Sequence, residues 1–293
     1  MSNFDKYNLP NIFFHEVKTL EHFKNNNFIQ KIISSFHDYD NLYFVSKFYE
    51  EGVSGNLDHI WNEKEIKFFS ACLVQIFIGL REKKIIHRDI HYWNLMLDEK
   101  NYIILIDFHI SIDYENKDNP NYYRIGSPKF CSPELIKGLE YDYNSDYYRL
   151  GIMLYYNIFG EFPKSIDEKI NMNNINLNKA KNLSFSCIDF IKKLIVSDKN
   201  KRIGFNSVDE LKNHEFFNNF NWNKLINRKM KSPFKKKNGR KEMYFSTLYN
   251  FTKKIFINSE LIKNKTFREI ILSYDKINNN VINDIFFDRL KII

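Results

Sequence analysis

The stretch IIHRDIHYWNLMLDEKNYIILIDFH, residues 85–109, decides the fold of this chain. Two short apolar runs within it, Asn94–Leu97 and Tyr102–Ile106, predict strands joined by a polar turn, and Lys84–Asp89 before them is a third β-rich run. Asp89 closes a charged triplet before the first run, and Asp107 directly follows the second. Asn94 comes five residues after Asp89, and Asp107 comes thirteen residues after Asn94. The spacing therefore predicts three polar side chains at the ends of one strand pair.

These three side chains match what phosphoryl transfer requires. One carboxylate orients the attacking hydroxyl and accepts its proton, while a second carboxylate and an amide oxygen hold Mg²⁺ against the phosphates. Asp89, Asp107 and Asn94 can supply these roles in that order. Taken singly, each would more often be a solvated turn residue. The spacing of the whole set favours phosphoryl transfer.

The chain resembles the eukaryotic protein kinases from about residue 10 to residue 245. Ser132-Pro133-Glu134 stands where that family has Ala-Pro-Glu, and Asp146 with Gly151 matches its Asp-x-x-x-x-Gly helix start. Arg202 matches the late arginine that pairs with the glutamate, here Glu134. The resemblance implies an α+β, protein-kinase-like fold with a truncated small lobe and a mainly α-helical large lobe.

The resemblance also implies three regions. We expect residues 1–49 to form a remnant small lobe, consisting of the αC helix and the strands that follow. Residues 50–220 would form the kinase large lobe, and residues 221–293 a basic C-terminal tail. Hydrophobic periodicity predicts helices over 13–24, 63–82, 147–159 and 185–196, and strands over 29–35 and 42–48. The apolar spacing in residues 246–293 is typical of a helix.

The family pattern assigns a role to fifteen residues. As catalytic residues it implies Asp89, Arg88 and His91. As ligands of Mg²⁺ it implies Asn94 and Asp107. For ATP binding it implies the αC glutamate Glu16, the gatekeeper Ser46, the hinge residues Lys47 and Tyr49, and Met96. As structural residues it implies His87, Phe108, Glu134, Asp146 and Arg202.

The C-terminal part of the sequence indicates which group of protein kinases the chain resembles most. The segments DKNKRIG (198–204), HEFFNNFNWNKL (214–225) and SPFKKK (232–237) resemble the end of the catalytic domain and the start of the tail in AGC kinases. Asp107-Phe108-His109 replaces the usual Asp-Phe-Gly. Kinases of the YANK branch have Asp-Phe-Asn there, and their tail also resembles DIFFDRLK (284–291). The sequence is therefore most similar to YANK-type AGC kinases.

Two departures from the family pattern bear on activity. No glycine precedes Gly52, so we expect the glycine-rich loop and the strand lysine of the small lobe to be missing from this chain. His91 replaces the catalytic-loop lysine, and an imidazole carries less positive charge at pH 7 than an ammonium group. Two hypotheses remain open: an ATP-dependent serine/threonine kinase, and a pseudokinase that acts as a protein-interaction module. A small-molecule kinase is a weaker third.

The expected substrate is a protein with a Ser or Thr acceptor. AGC kinases that prefer arginine near the acceptor use three acidic positions, which align here with Asn56, Trp93 and Tyr156. Because no carboxylate remains to pair with arginine, we predict no strong basophilic preference.

Composition limits the location and the partners. The 293 residues, 43% of them hydrophobic, can bury a sizeable core. The three cysteines are widely spaced, no secretory leader opens the chain, and the most apolar run, Phe68–Leu80, is too short for a bilayer. We expect an intracellular, cytoplasmic protein without a transmembrane segment. The net charge of +8 and the basic run Lys224–Lys241 favour a solvated basic surface, and contact with nucleic acid or acidic lipid is the weaker alternative.

Overall fold

The computed structural model describes residues 9–37, 42–115, 127–140, 142–163, 180–235 and 252–256. The helices are α1 (Leu9–Glu21), α2 (Glu63–Glu82), α3 (Pro133–Ile136), α4 (Tyr143–Phe159), α5 (Phe185–Leu194), α6 (Asp209–Lys212) and α7 (Trp222–Ile226). The strands are β1 (Ile32–His37), β2 (Leu42–Ser46), β3 (Glu51–Gly52), β4 (Ile85–Ile86), β5 (Leu95–Leu97), β6 (Ile103–Leu105), β7 (Ile112–Asp113) and β8 (Thr252–Phe256). This mixed α and β content, mainly helical in the longer unit, confirms the predicted fold class.

The chain divides into two compact units. The first comprises residues 1–24, 31–48 and 245–293, and the second comprises residues 25–30 and 49–244. In the first unit, α1 packs against the antiparallel pair β1 and β2. Phe13, Leu20 and Phe44 are buried there.

Strand β8 joins the sheet of the first unit from far along the chain. It pairs with β2 in parallel, with Phe44 opposite Lys254 and Ser46 opposite Phe256. Residues 252–256 are therefore a strand, and the predicted helical character of this segment is wrong for them. The remainder of 246–293 lies outside the described residues.

Helix α2 is the central helix of the second unit. Its bounds match the prediction because its start is fixed locally: the Asn62 side chain accepts from the backbone N–H of Glu65, and the Glu65 carboxylate accepts from the N–H of Asn62. Thirteen of its twenty residues are buried. They include Phe69, whose ring lies 4.8 Å from that of Trp61.

Residues 221–235, the first described part of the predicted tail, pack within the second unit. Leu225 and Phe234 are buried, and the ring of Phe234 lies 5.1 Å from that of Trp61. Arg228 forms an ion pair with Asp98. Residues 221–235 thus contribute to the core of this unit.

Two small sheets position the candidate site. Strands β3, β5 and β6 form one antiparallel sheet, and β4 pairs with β7 in another. The runs Asn94–Leu97 and Tyr102–Ile106 are confirmed as strands β5 and β6, whereas only Ile85–Ile86 of the run Lys84–Asp89 is a strand, β4. The loop from His87 to Asn94 runs between β4 and β5, and Asp107 follows β6. Within the described residues, no helix is long and apolar enough to cross a membrane.

Candidate active site

Asp146 holds the backbone of the loop that begins at His87. The N–H of His87 donates to Oδ2 of Asp146 at 2.8 Å, and the N–H of Arg88 donates to Oδ1 at 3.0 Å. Burial raises the pKa of Asp146 to about 6, against the lowering effects of Arg149 and these two N–H groups. Arg88 and Asp107 both have φ of 70°, a left-handed conformation that is uncommon for residues other than glycine. Such backbone strain clusters at functional sites.

Asp89 lies at the centre of a polar cluster. Its Oδ1 accepts from the backbone N–H of Ser127 at 2.9 Å and lies 3.7 Å from Nη1 of Arg149. Its Oδ2 lies 3.2 Å from Nε2 of His91. Burial acts to raise the pKa of Asp89, but the hydrogen bond from His91 and the charges of His91 and Arg149 together hold it well below its usual range. The carboxylate is therefore an anion at neutral pH.

Asn94 and Asp107 are brought to the same end of the β5–β6 pair. The N–H of Ile106, the residue before Asp107, donates to the carbonyl of Asn94 at 3.0 Å. The Asn94 side-chain amide donates to the carbonyl of Asp89 at 2.9 Å. One series of hydrogen bonds thus links Asp89, Asn94 and Ile106, the residue preceding Asp107.

Two histidines contact the acidic residues. His91 sits beside Asp89, and in the part of the chain that the structure describes its buried Nδ1 has no hydrogen-bond partner. Nδ1 of His109 lies 2.7 Å from Oδ1 of Asp107. Arg88 donates from Nε to the carbonyl of Ile110 at 2.6 Å.

The predicted structural residues lie in two buried contacts around this cluster. His87 and Phe108 are fully buried, with ring centroids 4.7 Å apart. Glu134 and Arg202 form a buried bidentate ion pair at 2.8 and 2.9 Å. Burial acts to raise the pKa of Glu134, but the hydrogen bond and charge of Arg202 outweigh it and lower that pKa overall.

The residues predicted to bind ATP fall in both units. Glu16, on α1, and Ser46, at the end of β2, are buried in the first unit, where Lys47 is exposed. Tyr49 and Met96 belong to the second unit. Met96 lies opposite Gly52 between β3 and β5, and burial raises the pKa of Tyr49 to about 12.

Sequence reasoning missed two residues that contact Asp89. No sequence motif indicates that the backbone N–H of Ser127 contacts Asp89. Arg149 is fully buried on α4, where Nη2 also donates to Sγ of Cys131 at 3.5 Å. An arginine inside the long apolar face predicted for 147–159 was a usable signal, because a buried arginine requires an acidic or polar partner.

Comparison with known proteins identifies the family. The family described as "Protein kinase domain" matches residues 2–217. The chain belongs to the protein kinase family. Its homologues include AGC-type kinases, and several of them are named serine/threonine protein kinases.

Three relatives illustrate the similarity. Serine/threonine-protein kinase sgk-1 of Caenorhabditis elegans is 32% identical over 220 residues, covering 71% of this chain and 46% of that protein. Serine/threonine protein kinase ypkA of Aspergillus fumigatus is 31% identical over 224 residues, covering 72% and 34%. Ribosomal protein S6 kinase alpha-6 of Danio rerio is 28% identical over 239 residues, covering 78% and 32%. The chain therefore spans about a third to a half of the length of these relatives.

Proposed function

We propose that this chain transfers the γ-phosphate of ATP to serine or threonine hydroxyls of protein substrates. The observation that carries the proposal is the hydrogen-bonded chain from Asp89 through Asn94 to Ile106, next to Asp107. These hydrogen bonds hold a proton acceptor, Asp89, beside two residues that offer oxygen ligands to Mg²⁺, Asn94 and Asp107. Phosphoryl transfer needs this arrangement.

Each residue has a distinct role in this proposal. Asp89 orients the acceptor hydroxyl and takes its proton. The amide oxygen of Asn94 and the carboxylate of Asp107 fit Mg²⁺, since that ion prefers oxygen ligands. When bound, the metal ion neutralises charge on the phosphates. Arg88 supports the loop through its bond to Ile110.

Mutation of Asp107 tests the proposal most directly. We expect Asp107→Asn to lower phosphate incorporation into a mixed protein acceptor by at least about a hundredfold, because a neutral amide holds Mg²⁺ poorly. The matched control is Asp113→Asn, which makes the same change at an exposed carboxylate of β7. Equal activity in Asp107→Asn and the unmodified chain would remove the proposed metal site.

A pseudokinase that binds protein partners is the second candidate function. It is favoured by His91, whose Nε2 lies 3.2 Å from Asp89 at the position where the family has a lysine. A ligand bound only by the folded state stabilises it, by about 2.7 kcal/mol at a hundred times Kd. We expect Mg·ATP to raise the melting temperature, and the absence of any shift would favour the pseudokinase.

His91→Lys should raise kcat if the chain is an enzyme, since an ammonium group stabilises the transferring phosphoryl.

Finer assignments complete the proposal. Asp107-Phe108-His109 and the segment DIFFDRLK support a YANK-like branch, and the motif positions support a small lobe over 1–49, a large lobe over 50–220 and a tail over 221–293. Three positions that are acidic in arginine-preferring AGC kinases carry Asn56, Trp93 and Tyr156 here. This replacement supports the lack of a basophilic preference. Cys72, Cys131 and Cys187 are buried free thiols, which supports an intracellular, cytoplasmic location.

A further inference from the structure

Four aromatic side chains form a continuous row next to Asp89, which we call the aromatic shelf: Trp93, Phe130, Phe162 and Tyr156. The ring centroids of Trp93 and Phe130 are 6.3 Å apart, and those of Phe130 and Phe162 are 5.2 Å apart. Phe162 and Tyr156 continue the row at 4.6 Å. These separations lie in the range of favourable aromatic pairs.

The aromatic shelf is fixed to Asp89 from two directions. The N–H of Ser127 donates to Asp89 at 2.9 Å, and the carbonyl of the same Ser127 accepts from the N–H of Phe130 at 3.0 Å. On the other side, His91 lies 3.2 Å from Asp89 and its ring centroid lies 5.5 Å from that of Trp93. A polypeptide whose hydroxyl reaches Asp89 can therefore bring a neighbouring side chain to the aromatic shelf.

Packing explains part of the aromatic shelf but not its outer end. Phe130 is 2% exposed and forms the floor. Trp93 is 49% exposed, which is unusual for so large a side chain in a tightly bonded loop. Lys129 places its ammonium group 5.5 Å from the ring of Phe162. The rim therefore carries a cation, which repels basic substrate residues and leaves the exposed aromatic surface as the attractive feature.

We propose that the aromatic shelf binds an aromatic or large aliphatic side chain of the protein substrate, at one position close to the acceptor Ser or Thr. This inference rests on the proposed function, because it takes Asp89 as the point that the acceptor hydroxyl reaches. Trp93 is the specificity-determining residue, and it selects by contact area rather than by charge.

A positional-scanning library of serine peptides tests the proposal in two assays with the full chain. The first measures phosphate transfer from ATP, and the second measures peptide binding by fluorescence anisotropy without ATP. We expect Phe, Trp or Leu to exceed Ala at one flanking position by about threefold to tenfold in both assays, the range of one aromatic contact. Trp93→Ala should bring this ratio close to one. Phe185→Ala, which removes an aromatic ring that is 82% exposed on α5, should leave the ratio unchanged.

Trp93→Glu provides the opposite test. A carboxylate at this position should create a preference for arginine, because it supplies the ion pair that the tryptophan cannot form. A flat profile, an arginine preference in the unmodified chain, or equal ratios in the chain and in Trp93→Ala would overturn the proposal. If no peptide is phosphorylated, the proposed function fails, and the binding assay alone then decides whether the aromatic shelf recognises apolar side chains.

Discussion

A single buried arginine determines how an inactivating variant of Asp89 will behave. Arg149 is completely buried, its Nη1 lies 3.7 Å from Asp89, and within the described residues its Nε and Nη1 have no hydrogen-bond partner. Asp89→Asn therefore removes the nearest compensating charge. Because Arg149 then keeps only the more weakly coupled carboxylate of Asp146, we expect this variant to lose about 1–3 kcal/mol of unfolding free energy. Urea denaturation followed by circular dichroism measures the loss.

A double variant separates the charge effect from other causes. Asp89→Asn combined with Arg149→Met removes both charges and fills similar volume, so it should recover most of the stability lost in Asp89→Asn alone. If the single and double variants unfold at the same urea concentration, the arginine is not the cause. Loss of activity in Asp89→Asn should accordingly be compared with the double variant before it is assigned to lost proton transfer.

His87 makes stability depend on pH. Burial lowers its pKa from 6.5 to about 4, so between these values the unfolded chain binds a proton that the folded chain does not. Stability from His87 is therefore complete above pH 6.5 and falls on acidification, by about 3 kcal/mol below pH 4. Asp146, whose pKa is raised, acts in the opposite sense. The test therefore measures the unfolding free energy of the unmodified chain and of His87→Phe, each at pH 7 and at pH 4. A difference between the two proteins that is the same at both pH values would contradict the expectation.

At the scale of elements, Gly151 sets how closely two helices approach. A Cβ added to Gly151 on α4 would lie 2.5 Å from Cγ2 of Ile195 and 2.8 Å from Cβ of Leu194, at the end of α5. Overpacking costs about 1–3 kcal/mol, and the helix propensity of alanine returns up to about 1 kcal/mol. We expect Gly151→Ala to be destabilised by about 1–2 kcal/mol in urea denaturation.

The matched control for this prediction is the other glycine inside a long helix. A Cβ at Gly79 on α2 would lie 2.3 Å from Nδ2 of Asn26, the end of a side chain rather than a packed helix, although Oδ1 of Asn26 accepts from the N–H of Phe28 at 2.8 Å. Gly79→Ala should therefore be less destabilised than Gly151→Ala. Equal destabilisation of both variants would mean that helix contact at Gly151 is not the cause.

The elements differ in how far local sequence determines them. The start of α2 follows from Asn62 and Glu65, which are three residues apart, so periodicity and capping predicted its bounds. The proximity of Asp89, Asn94 and Asp107 followed from the strand pair between them. The contact between Arg149 and Asp89 could not be predicted in the same way. A helical period shows which side chains face the core, but it does not show which loop lies opposite them.

At the scale of the whole molecule, the sheet of the first unit depends on residues more than 200 positions away in sequence. Lys254 pairs with Phe44, and no local pattern in Thr252–Phe256 specifies that partner. Without β8, the described part of this sheet would be the pair β1 and β2 alone. An isolated two-stranded hairpin is marginally stable in water, and here α1 also packs against the pair, so we expect β8 to add to the stability that α1 already provides.

Prolines in β8 test this dependence. Backbone N–H groups alternate between the two edges of a strand, so Lys253→Pro combined with Lys254→Pro removes at least one donor that faces β2. We expect hydrogen exchange at Phe44 and Val45 to accelerate by at least about tenfold, while amides of α2 in the second unit keep their protection. Lys253→Ala with Lys254→Ala changes the side chains but keeps both donors, so its exchange should match the unmodified chain. Acceleration in the alanine variant as well would show that the side chains, rather than the backbone ladder, hold β8 on the sheet.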